Sequence, residues 1–259
     1  MKGGLAMGAA IGTETAARAQ AQAAASGSSR EFYLIRRYKM QQGPTFGAAA
    51  TDYFSKAMLP ALGRMGIGPV GVFNLSYGSG TPAIFVLMPS TDLKALAMLD
   101  LNLAQDTTFQ KDGAAFWGPA ATLPPFERVE AQLSVAFEGF PKLMVPSKEP
   151  RIFQLRTYES PTYAAHVRKV EMFHKGEFRI FKETGSFGVF YADDLITPRQ
   201  PSLTYLLSHK DLASMDANWK AFQAHPDWVK LSHEPRYASE PTVSAIDNLI
   251  LTPTAYSQI

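Results

Sequence analysis

The chain has no cysteine, so it forms no disulfide, offers no thiolate nucleophile and builds no cysteine-ligated zinc site. That absence fits every compartment and localises nothing. A block of one charge sign is also missing. The 25 Lys and Arg stand against 23 Asp and Glu, scattered along the chain, for a formal net charge of +2. A nucleic-acid partner would want a basic stripe, so none is expected. No apolar run approaches the ~20 residues that span a bilayer, and no membrane span is expected. There is no Gly-x-Ser-x-Gly elbow and no Walker loop. Gly66-x-Gly68-x-x-Gly71 has the dinucleotide spacing, but it follows a helical stretch and leads into a strand, the wrong order for phosphate binding.

What is present is a soluble-protein composition, 46% hydrophobic and 19% charged over 259 residues, enough for about two domains at ~100–200 residues each. The chain also repeats itself. Ile152-Phe153-Gln154-Leu155-Arg156-Thr157-Tyr158 lies over Phe32-Tyr33-Leu34-Ile35-Arg36-Arg37-Tyr38, with Arg156 over Arg36 and Tyr158 over Tyr38 at an offset of 120. Gly185 over Gly66, Pro201 over Pro82, Asp211-Leu212 over Asp92-Leu93 and Trp228 over Phe109 follow at 119. A period this long indicates tandem domains rather than a solenoid.

Residues 1–29 form a separate segment. Lys2 precedes the small apolar run Gly3 to Gly12, and Ala17-Arg18-Ala19 and Ala19-Gln20-Ala21 offer the small residues that signal peptidase accepts. The segment reads as an export signal, which places the protein in the periplasm or outside the cell. Its wording resembles the end of a twin-arginine signal, and the arginine pair is expected upstream of Met1. The alternative is an Ala-rich disordered tail.

Residues 30–140 read as the first domain, 141–150 as a proline-bearing linker and 151–259 as the second domain. In the first, period 2 over 32–38 gives a strand. Helical spacing follows up to Gly66, with Pro60 expected to kink the helix. Strands are expected at 70–75 and 84–88, a helix on Leu93, Leu96 and Leu103, and a strand at 129–137. The second domain repeats the order. Its strand 151–158 leads to Ser160-Pro161 as a helix start, the helix ends before Gly185, and strands follow at 187–191 and 203–208 with a loop at 193–200. Asp211 caps a helix carrying Leu212, Met215, Trp219 and Phe222, and 243–251 is the last strand. The fold class is therefore α+β: tandem ferredoxin-like βαββαβ domains. Helices on one side of each sheet leave the other side bare, and two such sheets can cover one another in a barrel-like pair.

Arg-Thr-Tyr in the first strand of the second domain, Asp211-Leu212-Ala213 opening its second helix and Asp227-Trp228 after Pro226 resemble the NIPSNAP family. The ending Tyr256-Ser257-Gln258-Ile259 resembles its exported, two-domain bacterial members. The resemblance covers roughly 30–259 and is strongest over 151–237. In the first domain Asp106-Thr107-Thr108-Phe109 replaces the His225-Pro226-Asp227-Trp228 corner. The resemblance implies a dimeric α/β-barrel fold, shared with cofactor-free monooxygenases and haem-handling proteins. Fold alone does not transfer their chemistry.

The candidate ligand-binding residues are Arg36, Tyr38, Arg156, Tyr158, Tyr205 and His209. If Phe153 and Leu155 meet the helices, period 2 turns Arg156, Tyr158 and Gln154 into the space between the sheets. A guanidinium and a phenol there could hold a carboxylate or an enolate. The alternative is that they bond to one another and to nearby carbonyls. His166, Glu171 and His174 lack the spacing of a zinc site, with Glu171 and His174 read as a solvated pair, and no metal is expected. His209 either reaches the lumen or caps the turn before Asp211. The first functional reading is an exported module that binds a small apolar or anionic ligand between the sheets, or that pairs with a second copy of itself. The alternative is a cofactor-free monooxygenase or isomerase with a Tyr or His as base. No cofactor is expected. Haem would require a histidine facing a flat apolar cavity.

Overall fold

The computed structural model describes residues 29–118 and 124–259; the signal-like segment lies outside them apart from its last residue. Each half runs strand, helix, strand, strand, helix, strand. In the first half these are β1 (Phe32–Met40), β2 (Gly71–Tyr77), β3 (Ala83–Ser90) and β4 (Phe126–Ala136). The second half has β5 (Ile152–Glu159), β6 (Phe187–Ile196), β7 (Ser202–His209) and β8 (Ala245–Pro253). The ring order is β1-β3-β2-β8-β5-β7-β6-β4, closed and antiparallel throughout. Within that ring each half keeps the same internal order, β4-β1-β3-β2 and β8-β5-β7-β6. The pairs β2–β8 and β4–β6 join the halves, so both sheet edges find partners inside one chain, which removes the exposed edges an open sheet would present.

In the first half α1 (Pro44–Asp52) passes through a widened π turn at Tyr53–Met58 into α2 (Leu59–Arg64). Pro60 does not explain that turn. The second half has one at the matching place, Phe173–Glu177, between α7 (Tyr163–Met172) and α8 (Phe178–Glu183), with no proline in it. Gly66 and Gly185 follow these helices with φ of 69° and 88°, the left-handed conformation that favours glycine at a helix end. The second helical region differs more between halves. In the first it breaks at Met98 into α3 (Leu93–Ala97) and α4 (Leu99–Leu103), then adds α5 (Thr107–Asp112) and α6 (Ala114–Trp117). In the second, α9 (Leu212–Ala224) is continuous and is followed by α10 (Pro226–Ser232) and α11 (Pro235–Ala238).

Three local expectations are corrected. Thr162, not Ser160, caps α7: its hydroxyl accepts from the Ala165 amide at 3.0 Å. Pro226 does not simply stop a helix; it starts α10 as its first residue, with His225 as cap, where a missing amide costs nothing. Asp193 to Ile196 are not loop but the end of β6, paired with β4.

The barrel separates three apolar bodies. Tyr33, Ile35, Phe73, Phe85, Phe153, Leu155, Phe190, Leu206, Leu249 and Leu251 fill the interior. Outside it, the helices of the first half pack with Leu34, Tyr38, Val72 and Val86. Those of the second half pack with Tyr158, Leu203, Tyr205 and Leu207. Phe153 and Leu155 therefore face the lumen and not the helices, the reverse of the condition on which the site had been placed. Both faces of each sheet are buried, so strand alternation alone does not say which is which.

Candidate functional site

Arg36, Tyr38, Arg156, Tyr158 and Tyr205 consequently lie on the helix side of their sheets, in two separate clusters. In the second half Tyr205 and Arg156 sit opposite one another in the ladder. The Tyr205 hydroxyl donates to that of Tyr158 at 2.7 Å, and the Arg156 guanidinium lies 4.4 Å from the Trp219 ring centroid. Trp219 in turn donates to Gln154 at 2.7 Å. Beside this cluster Lys169 and Glu177 form a buried ion pair at 2.5 Å, with the ammonium among the rings of Phe173, Tyr158 and Trp228 at 4.9 to 5.4 Å. His209 shares the face but stands four residues beyond Tyr205, some 13 Å along the strand at ~3.3 Å per residue, with Leu207 between. It neither reaches the lumen nor joins the cluster.

His209 is almost fully buried, with Asn218 Nδ2 3.3 Å from Nδ1 and no partner on Nε2. Burial pushes its pKa down to about 4. Between that value and the ~6.5 of a free histidine, only the unfolded chain takes up the proton. Stability should therefore fall as the pH drops through this window, by about 3 kcal/mol at most. His209→Gln should lose that part of the slope, which urea denaturation at pH 7 and pH 4.5 would show.

In the first half Arg36 makes a bidentate pair with Asp100, at 2.7 and 2.9 Å. Arg36 and Tyr38 line a cavity of about 360 Å³ with Tyr53, Asp100, Phe116, Trp117 and Phe126. Burial raises the pKa of Tyr38, Tyr53 and Tyr205, so these phenols stay protonated and are poor bases at neutral pH.

The lumen is not an open chamber. Its middle is packed around a void of only about 10 Å³, room for one water at most. It opens at one end, where the C-terminal end of β5, the N-terminal end of β4 and the β6–β7 loop meet, into a cavity of about 380 Å³. Ile35, Phe85, Leu155 and Leu249 make its apolar floor, and Arg37, Arg128, Glu130, Arg199 and Asp247 its charged wall. Arg128 donates to Glu130 at 2.6 Å and Arg199 to Asp247 at 2.6 Å. The Arg128 bond, with Arg37 nearby, holds Glu130 below the usual carboxylate range. Three guanidinium groups against two carboxylates leave one positive charge in excess.

Behind this wall Asp194 is buried in the lumen and accepts from Ser202 at 2.6 Å, Ser134 and Gln132 at 2.7 Å and Thr204 at 3.0 Å. Burial nevertheless raises its pKa. Thr204 also meets Thr157 at 2.9 Å, so this network fixes Gln132 and Thr157, which line the mouth along with Thr197. Sequence reading missed the whole assembly. Arg37 adjoins Arg36 and so points to the opposite face, the one signal that could have marked it.

The metal expectation rested on spacing. Glu171 and His174 do not pair: Glu171 binds Arg236, while His174 meets Val170 O and the Gly139 amide. Among the described residues no group of three or more potential ligands converges. No described helix is long and apolar enough to cross a membrane. No histidine lines the 360 or the 380 Å³ cavity, so those two sites do not fit a histidine-ligated haem.

This is a mixed α/β fold built on a closed eight-stranded barrel. Similar solved structures include a candidate monooxygenase from Lactobacillus acidophilus, at 9% identity and a TM-score of 0.56, covering 86% of this chain and 94% of that one. Another candidate monooxygenase, from Fusobacterium nucleatum, shows 7% identity and 0.54 over 87% and 93%. A NIPSNAP-like domain protein from Burkholderia xenovorans is 20% identical over 42% of this chain and 90% of its own, at 0.37. Residues 153–258 match the model of the NIPSNAP family, so the second half of the chain carries a NIPSNAP domain. No curated protein matches it.

Proposed function

We propose that the protein binds a small amphiphilic anion at the mouth of the barrel, its apolar part on Ile35, Phe85, Leu155 and Leu249 and its charged end among the arginines. The observation that carries this reading is the 380 Å³ cavity, where three guanidinium groups outnumber two carboxylates over an apolar floor. Guanidinium forks suit carboxylate geometry. The proposal keeps the ligand between the sheets but moves it to other residues. Export, read from residues 1–29, belongs to the same proposal, as does the reading of the two halves as duplicated ferredoxin-like units. Monooxygenase chemistry draws support only from a shared fold, and the protonated phenols do not supply its base.

Hexanoate is a suitable probe, followed by calorimetry on the full chain. Arg128 is more than half exposed, so Arg128→Ala should fold normally and weaken binding by about tenfold, the size of one charge-assisted hydrogen bond. Absence of hexanoate binding, or equal affinity in the variant, would overturn the reading.

A further inference from the structure

The two halves treat the same arginine differently. Asp100 and Trp219 each stand eight residues after the aspartate that caps their helical region, Asp92 and Asp211. Each meets the first-strand arginine of its own half: Asp100 through two hydrogen bonds to Arg36, Trp219 through its ring face on Arg156. Where the second half places an indole against its arginine, the first places a short carboxylate and has a 360 Å³ cavity.

The walls of that cavity suit what is missing. Tyr53 and Phe116 stack at 4.2 Å and 16°, presenting a flat aromatic surface. Tyr38 meets Phe54 and Phe126 edge-on at 5.2 and 5.8 Å. Trp117 and Val129, both partly exposed, stand at the rim. The ion pair is internally neutral, so the cavity does not select a charged guest. It is still lined by the delocalised guanidinium of Arg36, a group that favours a π system, and by Tyr38 and Tyr53.

We infer that this cavity of the first half binds a neutral planar aromatic or heteroaromatic molecule, stacked on Arg36 as the Trp219 indole is stacked on Arg156. The site is distinct from the barrel mouth, lies on the opposite face of β1 and β4, and selects a different chemistry.

The test is titration of the full chain with indole and with quinoline, by calorimetry and by ligand-observed NMR. Saturable binding is expected. Asp100→Trp supplies the missing indole from within and should weaken binding by about tenfold or more, the scale of a desolvated guanidinium–ring contact. Should that variant not fold, Val129→Trp blocks the rim from a surface position on β4 opposite Tyr38 and should do the same. Arg128→Ala, at the mouth, should leave indole binding unchanged. The inference fails if neither probe binds the unaltered chain, or if both obstructed variants bind as well as it does.

Discussion

Glu177→Ala should cost about 3–5 kcal/mol, the range for stranding one member of a buried ion pair. The Lys169 and Glu177 side chains are 5% and 3% exposed. Burial raises the Glu177 pKa, opposed first by the charge of Lys169 and its hydrogen bond, then by Arg156. Without the carboxylate, the ammonium would remain against Phe173, Tyr158 and Trp228, whose ring faces replace only part of its hydration. The pair as a whole is a different matter. Two charges taken out of water cost several kcal/mol each, and apolar replacements of similar volume are often neutral or better. Lys169→Met with Glu177→Leu should therefore recover most of the loss. Urea denaturation of the two single variants and the double one gives the coupling directly. A Glu177→Ala cost below about 1 kcal/mol, the usual scale of an exposed pair, would mean that water reaches the site.

The same pair shows where sequence reading stops. Lys169 and Glu177 are eight residues apart, two to three helical turns at 3.6 residues each, and the π turn at Phe173–Glu177 shifts the register between them. Helical spacing in the sequence lines up Val167, Val170, Phe173, Phe181 and Thr184 along one side. In the structure Val167 is exposed and Lys169 is buried. An extra residue in one turn rotates everything after it, and propensity carries no sign of that. Strand order and most strand limits were legible because turn residues and period-2 alternation bracket them. Asp193-Asp194 were not, since two successive acids read as loop. The hydroxyls of Ser134, Ser202 and Thr204 and the Gln132 amide, delivered by two other strands, make Asp194 tolerable inside the barrel. The candidate arginines lie on the helix side of their sheets, packed against groups from elsewhere in the chain. Their partners, Asp100 and Trp219, come from helices far along the chain, so the face they occupy had no local signature.

Phe109→Ala should destabilise the protein more than Trp228→Ala, although the two residues share a place in the repeat and tryptophan is the larger. The sequence puts both at the base of their domains and assigns Trp228→Ala a cost of about 3–5 kcal/mol, with Phe109 doing the same job by a smaller ring. The corner differs from that expectation. From the sequence, Asp227 is expected to turn the chain by accepting a nearby backbone amide; instead its carboxylate takes Arg179 at 2.6 Å, and its own amide donates to His225 at 3.2 Å. The resulting α10 leaves Trp228 only partly buried, with its ring 4.9 Å from Phe222 and above Lys169. Phe109 is fully buried, edge-on to Trp117 at 5.0 Å and to Tyr53 at 5.8 Å. Emptying its site leaves a closed cavity, for which about 3–5 kcal/mol is the usual cost. Truncating Trp228 opens a surface notch that water can enter, and about 2 kcal/mol follows from the smaller apolar area lost. For a chain of this length Phe109→Ala should lower the Tm by roughly 10 °C and Trp228→Ala by about half as much. Thermal unfolding of the two variants side by side decides the order. A larger drop for Trp228→Ala would show that the lid over Lys169 and Glu177 contributes more than its exposed area implies.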